Sequence, residues 1–275
     1  MISALVFSKN RALQLDLLLN SIKKNFKQCS EVSVLYTTTD KHKKSYEILQ
    51  KEHGDIKFVK QGSFYSDICD ITKDFKNQSV VMFTDDDIVY RDTNIHPDFL
   101  QQIQNYNFAC FSLRLGPNIT KRQVGTVFVD EKSPLFGVYH DSLMWNRTEF
   151  LPFHYFGYPL SVDGHIFAKN KLYNMFVDIE HSDKKYSFLE TPNKLETLLQ
   201  RFFFEVGPIM ICNRHSSVVN SPNNRVQEEY QNRAGDKYSY CEDHLMELYM
   251  QGTRIKLESL DFSHVNCPHT EIKLL

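Results

Sequence analysis

Three consecutive carboxylates, Asp85, Asp86 and Asp87, follow the mostly apolar run Val80-Val81-Met82-Phe83-Thr84. Apolar residues flank them on both sides, so the charges are costly unless a cation or a partner compensates them. Side chains alternate along extended chain, which predicts that Asp85 and Asp87 point the same way and converge on one ion. Oxygen donors of this kind suit a hard divalent cation such as Mg2+ or Mn2+, whose shell is readily shared with diphosphate oxygens. The plainer alternative is a solvated acidic turn.

Other carboxylates could move a proton. Asp163, within Tyr158-Pro159-Leu160-Ser161-Val162-Asp163-Gly164-His165-Ile166-Phe167, is expected where extended chain turns into a helix reaching Met175. There it would face a cleft and could take the proton of an attacking hydroxyl. An N-cap explains the same residue without chemistry, and a helix dipole at that position would weaken a base. Glu196, early in a helix expected over Pro192 to Phe203, is a rival, as is Asp243 in Cys241-Glu242-Asp243-His244-Leu245. The polar cluster Asn220 to Arg225 offers Arg225 to phosphate or sugar. The aromatic stretch around Trp145, Tyr155 and Tyr158 suits sugar stacking and core packing equally.

The elements that must carry these residues alternate in type. Strands are expected over Ile2 to Phe7, Val32 to Tyr36, Ile56 to Val59 and Ser79 to Thr84. Helices are expected through Leu13, Leu17, Leu18 and Ile22, over Lys41 to Glu52, and over Asp67 to Phe75. That order predicts an α/β fold with a parallel sheet, right-handed crossovers and ligands at the carboxyl ends of its strands. Ser8 to Arg11, Thr37 to Asp40 and Asp85 to Asp87 all fall at such ends. Asn10 offers donors and an acceptor, and Arg11 can pair with phosphate or orient a carboxylate. Asn10 as a helix cap and Asp40 as a turn former are the plainer readings. Further on, strands are expected over Phe108 to Leu113 and Val124 to Val129, then a long polar loop from Arg214 to Asp236.

With a triplet after the fourth strand and a polar turn after the first, the chain resembles the GT-A glycosyltransferases, well over residues 1–90 and loosely beyond. The resemblance implies a Rossmann-like, mostly parallel central sheet flanked by helices, with an irregular C-terminal acceptor-side portion. It also implies one catalytic domain, 1–275, with a nucleotide-binding half (1–90) and an acceptor-binding half carrying a closing segment (91–275). The implied activity is transfer of a sugar from a UDP- or GDP-sugar to an acceptor hydroxyl, dependent on Mn2+ or Mg2+, of the family-2-like inverting type. Asp85 would face ribose or metal, Asp86 would stand beside it, and Asp87 would hold the metal. Ser8, Asn10 and Arg11 would form the first nucleotide loop, with Asp40 against the base. Asp163 would be the catalytic base, with Glu196 as alternative, and His269, or else His264, would complete the metal shell. The acceptor would be a glycan or glycolipid head group in surface polysaccharide synthesis.

Neither GxGxxG nor GxxxxGK[ST] occurs, which argues against a usual dinucleotide oxidoreductase and a P-loop NTPase. A nucleotidyltransferase on a similar sheet would want a glycine-rich basic first loop, which Ser8-Lys9-Asn10-Arg11 is not. A non-catalytic glycan-binding protein on the same fold is the third class. The chain has 275 residues and a net charge of −2, so it can bury a sizeable core and has no basic field for nucleic acid. Six scattered cysteines without CxxC spacing, no leader pattern and no membrane-spanning run predict a cytoplasmic protein, with peripheral membrane association open to it.

Overall fold

The computed structural model describes residues 1–182, 190–227 and 234–275. Its first part runs β1 (Ile2–Lys9), α1 (Ala12–Asn25), β2 (Cys29–Thr37), α2 (Lys43–Glu52), β3 (Lys57–Lys60), α3 (Phe64–Asp74) and β4 (Ser79–Thr84). These are the seven elements expected from hydrophobic periodicity, in that order. After them come β5 (Asp87–Val89), α4 (Pro97–Gln102), β6 (Phe108–Ser112), β7 (Lys121–Val124), β8 (Val127–Asp130), β9 (Gly137–Tyr139) and β10 (Ser142–Asn146). The described chain continues with β11 (His165–Ala168), α5 (Lys169–Ser182), α6 (Pro192–Leu199), β12 (Ile209–Asn213), β13 (Val218–Asn220) and α7 (Glu242–Met250).

Nine strands form one sheet in the order β3-β2-β1-β4-β11-β6-β12-β10-β9. Strand β1 pairs in parallel with β2 and β4, and β12 with β6. Only β11 and β10 run against the rest, so the sheet is mostly parallel. Side-chain alternation splits the core in two. Ala4, Val6, Val81 and Phe83 pack on one face with Leu13, Tyr46, Leu49 and Leu245, from α1, α2 and α7. Leu5, Phe7, Val80 and Met82 pack on the other with Ile68, Phe176 and Leu195, from α3, α5 and α6. Helices therefore cover both faces, and the ends of β1 and β4 are left open.

Two expectations are corrected. No helix starts at Asp163: the residue lies in a bend, β11 follows, and the helix begins at Lys169. Gly164 causes the change. It has φ +71°, donates to the Met82 carbonyl and accepts from Leu113 N–H, which draws the next residues into the sheet between β4 and β6. Ile166 then faces one core and Phe167 the other, a period of two inside a run apolar enough to pass for a buried helix. Val124 to Val129 is likewise not one strand. It spans the turn of the β7–β8 hairpin, where Gly125 has φ +57°. The loop expected over Arg214 to Asp236 contains β13, paired with β5, and its residues 228–233 lie outside the described chain.

Candidate active site

A cavity of about 810 Å3 opens over the carboxyl ends of β1 and β4. Its floor is built from Ser8, Lys9 and Arg11 of the first loop and from Asp85 and Asp86 of the triplet, while Asp87 is buried beneath the wall. Beyond β1, Asn10 takes a left-handed turn (φ 57°), and its side-chain oxygen accepts from Thr39 N–H at 2.9 Å, tying this loop to the one after β2. It does not cap α1. Ser8 Oγ and Lys9 N–H donate to Asp85 at 2.8 and 2.9 Å. Arg11 Nη1 donates to both Asp85 and Asp86 at 2.9 Å, and Nη2 to the Asn224 carbonyl at 2.6 Å. Asp40 is exposed in its turn and lies off the cavity wall.

The expected alternation of Asp85 and Asp87 does not occur, because β4 ends at Thr84 and Asp85-Asp86 form a turn. Asp85 points at the first loop. Asp87 folds back, accepting from Thr84 N–H at 2.9 Å. A second group of carboxylates replaces the expected pair. Asn220 Nδ2 donates to Asp86 (2.9 Å), Asp87 (3.2 Å) and Thr84 Oγ1 (3.1 Å). The Thr84 hydroxyl in turn donates to Asp163 at 3.1 Å. Asp86, Asp87 and Asp163 are thus gathered around one amide and one hydroxyl. Burial, then repulsion from Asp163 and Asp86, pushes the Asp87 carboxyl well above its ordinary range. Asp163 is also raised, by burial and Asp86, against the opposing pull of Arg114.

Opposite charge comes from Arg114, at the end of β6. Its Nη1 donates to Ser161 (2.5 Å) and Asp163 (3.1 Å), and its Nη2 to His269 Nε2 (2.6 Å). His269 reaches this place because the C-terminal segment zips along β13: Asn220 N–H bonds the Pro268 carbonyl, and Thr270 N–H the Asn220 carbonyl. Burial, reinforced by Arg114, holds the imidazole neutral with its pKa pushed down to about 3. His269 lines the cavity, but its Nε2 lone pair is used by Arg114. Exposed His264 lies off the cavity wall.

Glu196, on α6, is half-buried at the cavity wall, with Ser161, Tyr158 and the Val162 backbone facing its carboxylate. Burial, then repulsion from Asp163, pushes its pKa up to about 7 despite Arg114. A carboxyl poised near neutrality is suited to taking a proton. Asp243 is elsewhere: it pairs with Lys41 at 2.6 Å and His42 at 3.0 Å beside α2, and does not line the cavity. Arg225 is exposed at the cavity rim. Thr84, Arg114 and Asn220 were not singled out from sequence. Arg114 had a signal, a lone cation inside Phe111-Ser112-Leu113-Arg114-Leu115.

Among the described residues the pocket aspartates do not bring three donor atoms within 4.8 Å of one another. The donor set still fits a hard cation. Its atoms are carboxylate oxygens, two of the three groups are raised by burial and then by a neighbouring carboxylate, and Mg2+ commonly takes one or two protein carboxylates plus substrate phosphates.

No protein-family model matches the chain. The bifunctional glycosyltransferase pgtA of Dictyostelium discoideum is 23% identical over 264 residues, which span 88% of this chain. The match spans about a third (34%) of that protein's length. Among solved structures, S. aureus TarS 1-349 in complex with UDP is 14% identical, with 94% of this chain and 67% of that one covered at a TM-score of 0.47. The 4-diphosphocytidyl-2C-methyl-D-erythritol synthase of Anaerococcus prevotii is 13% identical, with 79% and 88% covered at 0.40. The mannosyltransferase PcManGT of Pyrobaculum calidifontis, in complex with GDP-Man and Mn2+, is 13% identical, with 44% and 40% covered at 0.29. At these scores the backbones diverge too far for any residue role to pass from those proteins to this one. The mostly parallel sheet with helices on both faces makes this an α/β fold of the kind expected, and the sequence is similar to part of one curated glycosyltransferase.

Proposed function

We propose that this protein is a glycosyltransferase that moves a sugar from a nucleoside diphosphate sugar to an acceptor hydroxyl, with a divalent cation. The observation that carries the reading is the group Asp86, Asp87 and Asp163 at the mouth of β4. These carboxylates are held together by Asn220 and Thr84 against their own repulsion, beside a cavity of about 810 Å3. Such a volume suits a nucleotide-sized ligand. The position, at the carboxyl ends of parallel strands, is where open α/β sheets bind nucleotides. Asp86 and Asp87 would hold Mn2+ or Mg2+, which when bound supplies positive charge to the departing diphosphate. Ser8, Asn10 and Arg11 would shape the nucleotide loop, and Arg225 would meet phosphate or sugar from the rim.

Glu196 would take the proton as the acceptor oxygen bonds to the anomeric carbon and the diphosphate leaves with the electron pair of the broken bond. A base acting from the acceptor side supports inversion. Arg114 would keep Asp163 ionised beside it, and His269 would hold Arg114. A smaller cavity of about 160 Å3, walled by Tyr155, Tyr158, Arg114 and His165, adjoins Glu196 and suits the acceptor end. A glycan or glycolipid head group is the proposed acceptor, and surface polysaccharide synthesis the proposed setting. No helix of the described residues is long and apolar enough to cross a membrane.

Calorimetric titration with UDP and GDP tests the reading. Micromolar binding is expected with Mn2+, is expected to be lost in EDTA, and is expected to weaken at least about tenfold in Asp87→Ala. Binding that ignores both metal and Asp87, or no binding of either nucleotide, would sink it.

A further inference from the structure

A second group of metal-ligand side chains lies outside the cavity. His96 caps α4, its Nδ1 accepting from Asp98 N–H at 3.4 Å and its Nε2 left for a metal, Asp98 is in the helix's first turn, and His140 sits in the two-residue turn between β9 and β10. One donor atom from each of the three lies within 4.8 Å of the others, the one such group of three found among the described residues. The two imidazoles are stacked, with centroids 4.1 Å apart and planes 11° from parallel. A single Asp98 oxygen faces both: it lies 3.2 Å from His140 Nε2 and 3.7 Å from His96 Nδ1. The buried Phe99 ring supports the pair edge-on at 6.4 and 6.2 Å.

We propose that His96, Asp98 and His140 form a second cation site, for a borderline metal such as Zn2+, that fastens the edge hairpin β9–β10 to α4. Three features carry this. The donor set of two imidazole nitrogens and one carboxylate oxygen suits Zn2+, Co2+, Ni2+ or Cu2+, unlike the all-oxygen set of the cavity. The three residues come from two distant segments, so the ion would link elements that are separate in sequence. His140 adopts φ 49°, the left-handed conformation that a two-residue hairpin turn calls for and histidine accepts, so the hairpin itself sets this imidazole beside His96. At metal–ligand distances of about 2.0–2.1 Å, tetrahedral ligands lie about 3.4 Å apart. Donor atoms that already lie within 4.8 Å of one another reach that spacing by side-chain shifts of roughly 1 Å. Strand β9 is the edge strand of the nine and its residues are exposed, so a clamp here would hold the sheet's open edge.

Zn2+ titration by calorimetry on the full chain tests the site, with visible absorption after Co2+ substitution as second readout. His96→Asn keeps a capping side chain, and His140→Asn tolerates the left-handed turn, so both remove an imidazole while sparing the backbone. Wild type should bind one Zn2+ at this site and give Co2+ bands of an N/O-ligated ion. Each Asn variant should bind at least about tenfold more weakly and lose the bands. The double variant Asp86→Asn/Asp87→Asn should keep both signals. Absence of Zn2+ binding in wild type, or equal binding in the histidine variants, overturns the proposal. Thermal unfolding without metal checks that the variants are folded, and His140→Gly, which suits the same backbone, replaces any that is not.

Discussion

Glu196→Gln is expected to slow sugar transfer by about 10²–10⁴-fold while nucleotide affinity changes little. Glutamine keeps the size and polarity of the side chain but cannot accept the acceptor proton. The pH profile separates this from a packing defect. With its pKa pushed up to about 7 by burial and Asp163, Glu196 is ionised only towards neutral pH, so wild-type turnover should rise through that value. The glutamine variant should lose this limb. Asp163→Asn removes a repelling charge, so the limb should move to lower pH while Glu196 still works. If instead Asp163→Asn abolishes turnover and Glu196→Gln keeps the limb, the base is Asp163. The same shift has a stability consequence. A carboxyl raised from 4.5 to about 7 favours the fold at low pH and loses that contribution as pH rises through the folded value. In thermal melts without metal, Glu196→Gln should match wild type below about pH 4 and exceed it above about pH 8.

The β-α alternation up to Thr84 was readable because each element there has local causes. The helices α1 to α3 carry apolar stripes at helical spacing, and the central strands β1 and β4 are buried on both faces, as crossover strands between two helical layers must be. Beyond Thr84 the determinants are long-range. Strand β11 exists because β4 and β6 flank it, and β12 pairs with both β6 and β10. Neither context leaves a mark in a window of ten residues. The run after Asp163 has a helix-like local pattern, and pairing with β4 and β6 overrides it.

The site divides similarly. The triplet and Ser8 to Arg11 were readable because a carboxyl strand end is a position that topology marks out. Which oxygens face one another was not, since a single turn at Asp85-Asp86 replaced the period of two. Asn220 lies in a polar cluster that sequence marks as functional without naming its target, and it reaches the triplet only through the β13–β5 pairing. The partnership of His269 with Arg114 joins residues far apart in the chain, and nothing local to either announces it.

Arg11→Ala is expected to destabilise the protein by about 3–5 kcal/mol at neutral pH, the range for breaking one side of a buried ion pair. The guanidinium is 7% exposed and bonds two carboxylates and the Asn224 carbonyl, so three segments meet on it. Without it, Asp85 keeps only the Ser8 hydroxyl and the Lys9 N–H. Burial already raises the Asp85 carboxyl, and Arg11 is the main charge opposing this, so the variant's carboxyl should rise further. A raised folded pKa gives a deficit that is present when the group is ionised and fades as pH falls, so urea unfolding should show a smaller loss near pH 4 than near pH 7. Charge imbalance also predicts non-additivity. Adding Asp85→Asn to Arg11→Ala should recover part of the loss, because the partner left unpaired is then neutral. A loss that is independent of pH and additive with Asp85→Asn would mean that Arg11 acts by packing alone. The coupled result would show that the first loop is held by the charge of Asp85 and Asp86, so that binding a cation to Asp86 and Asp87 competes with Arg11 for Asp86.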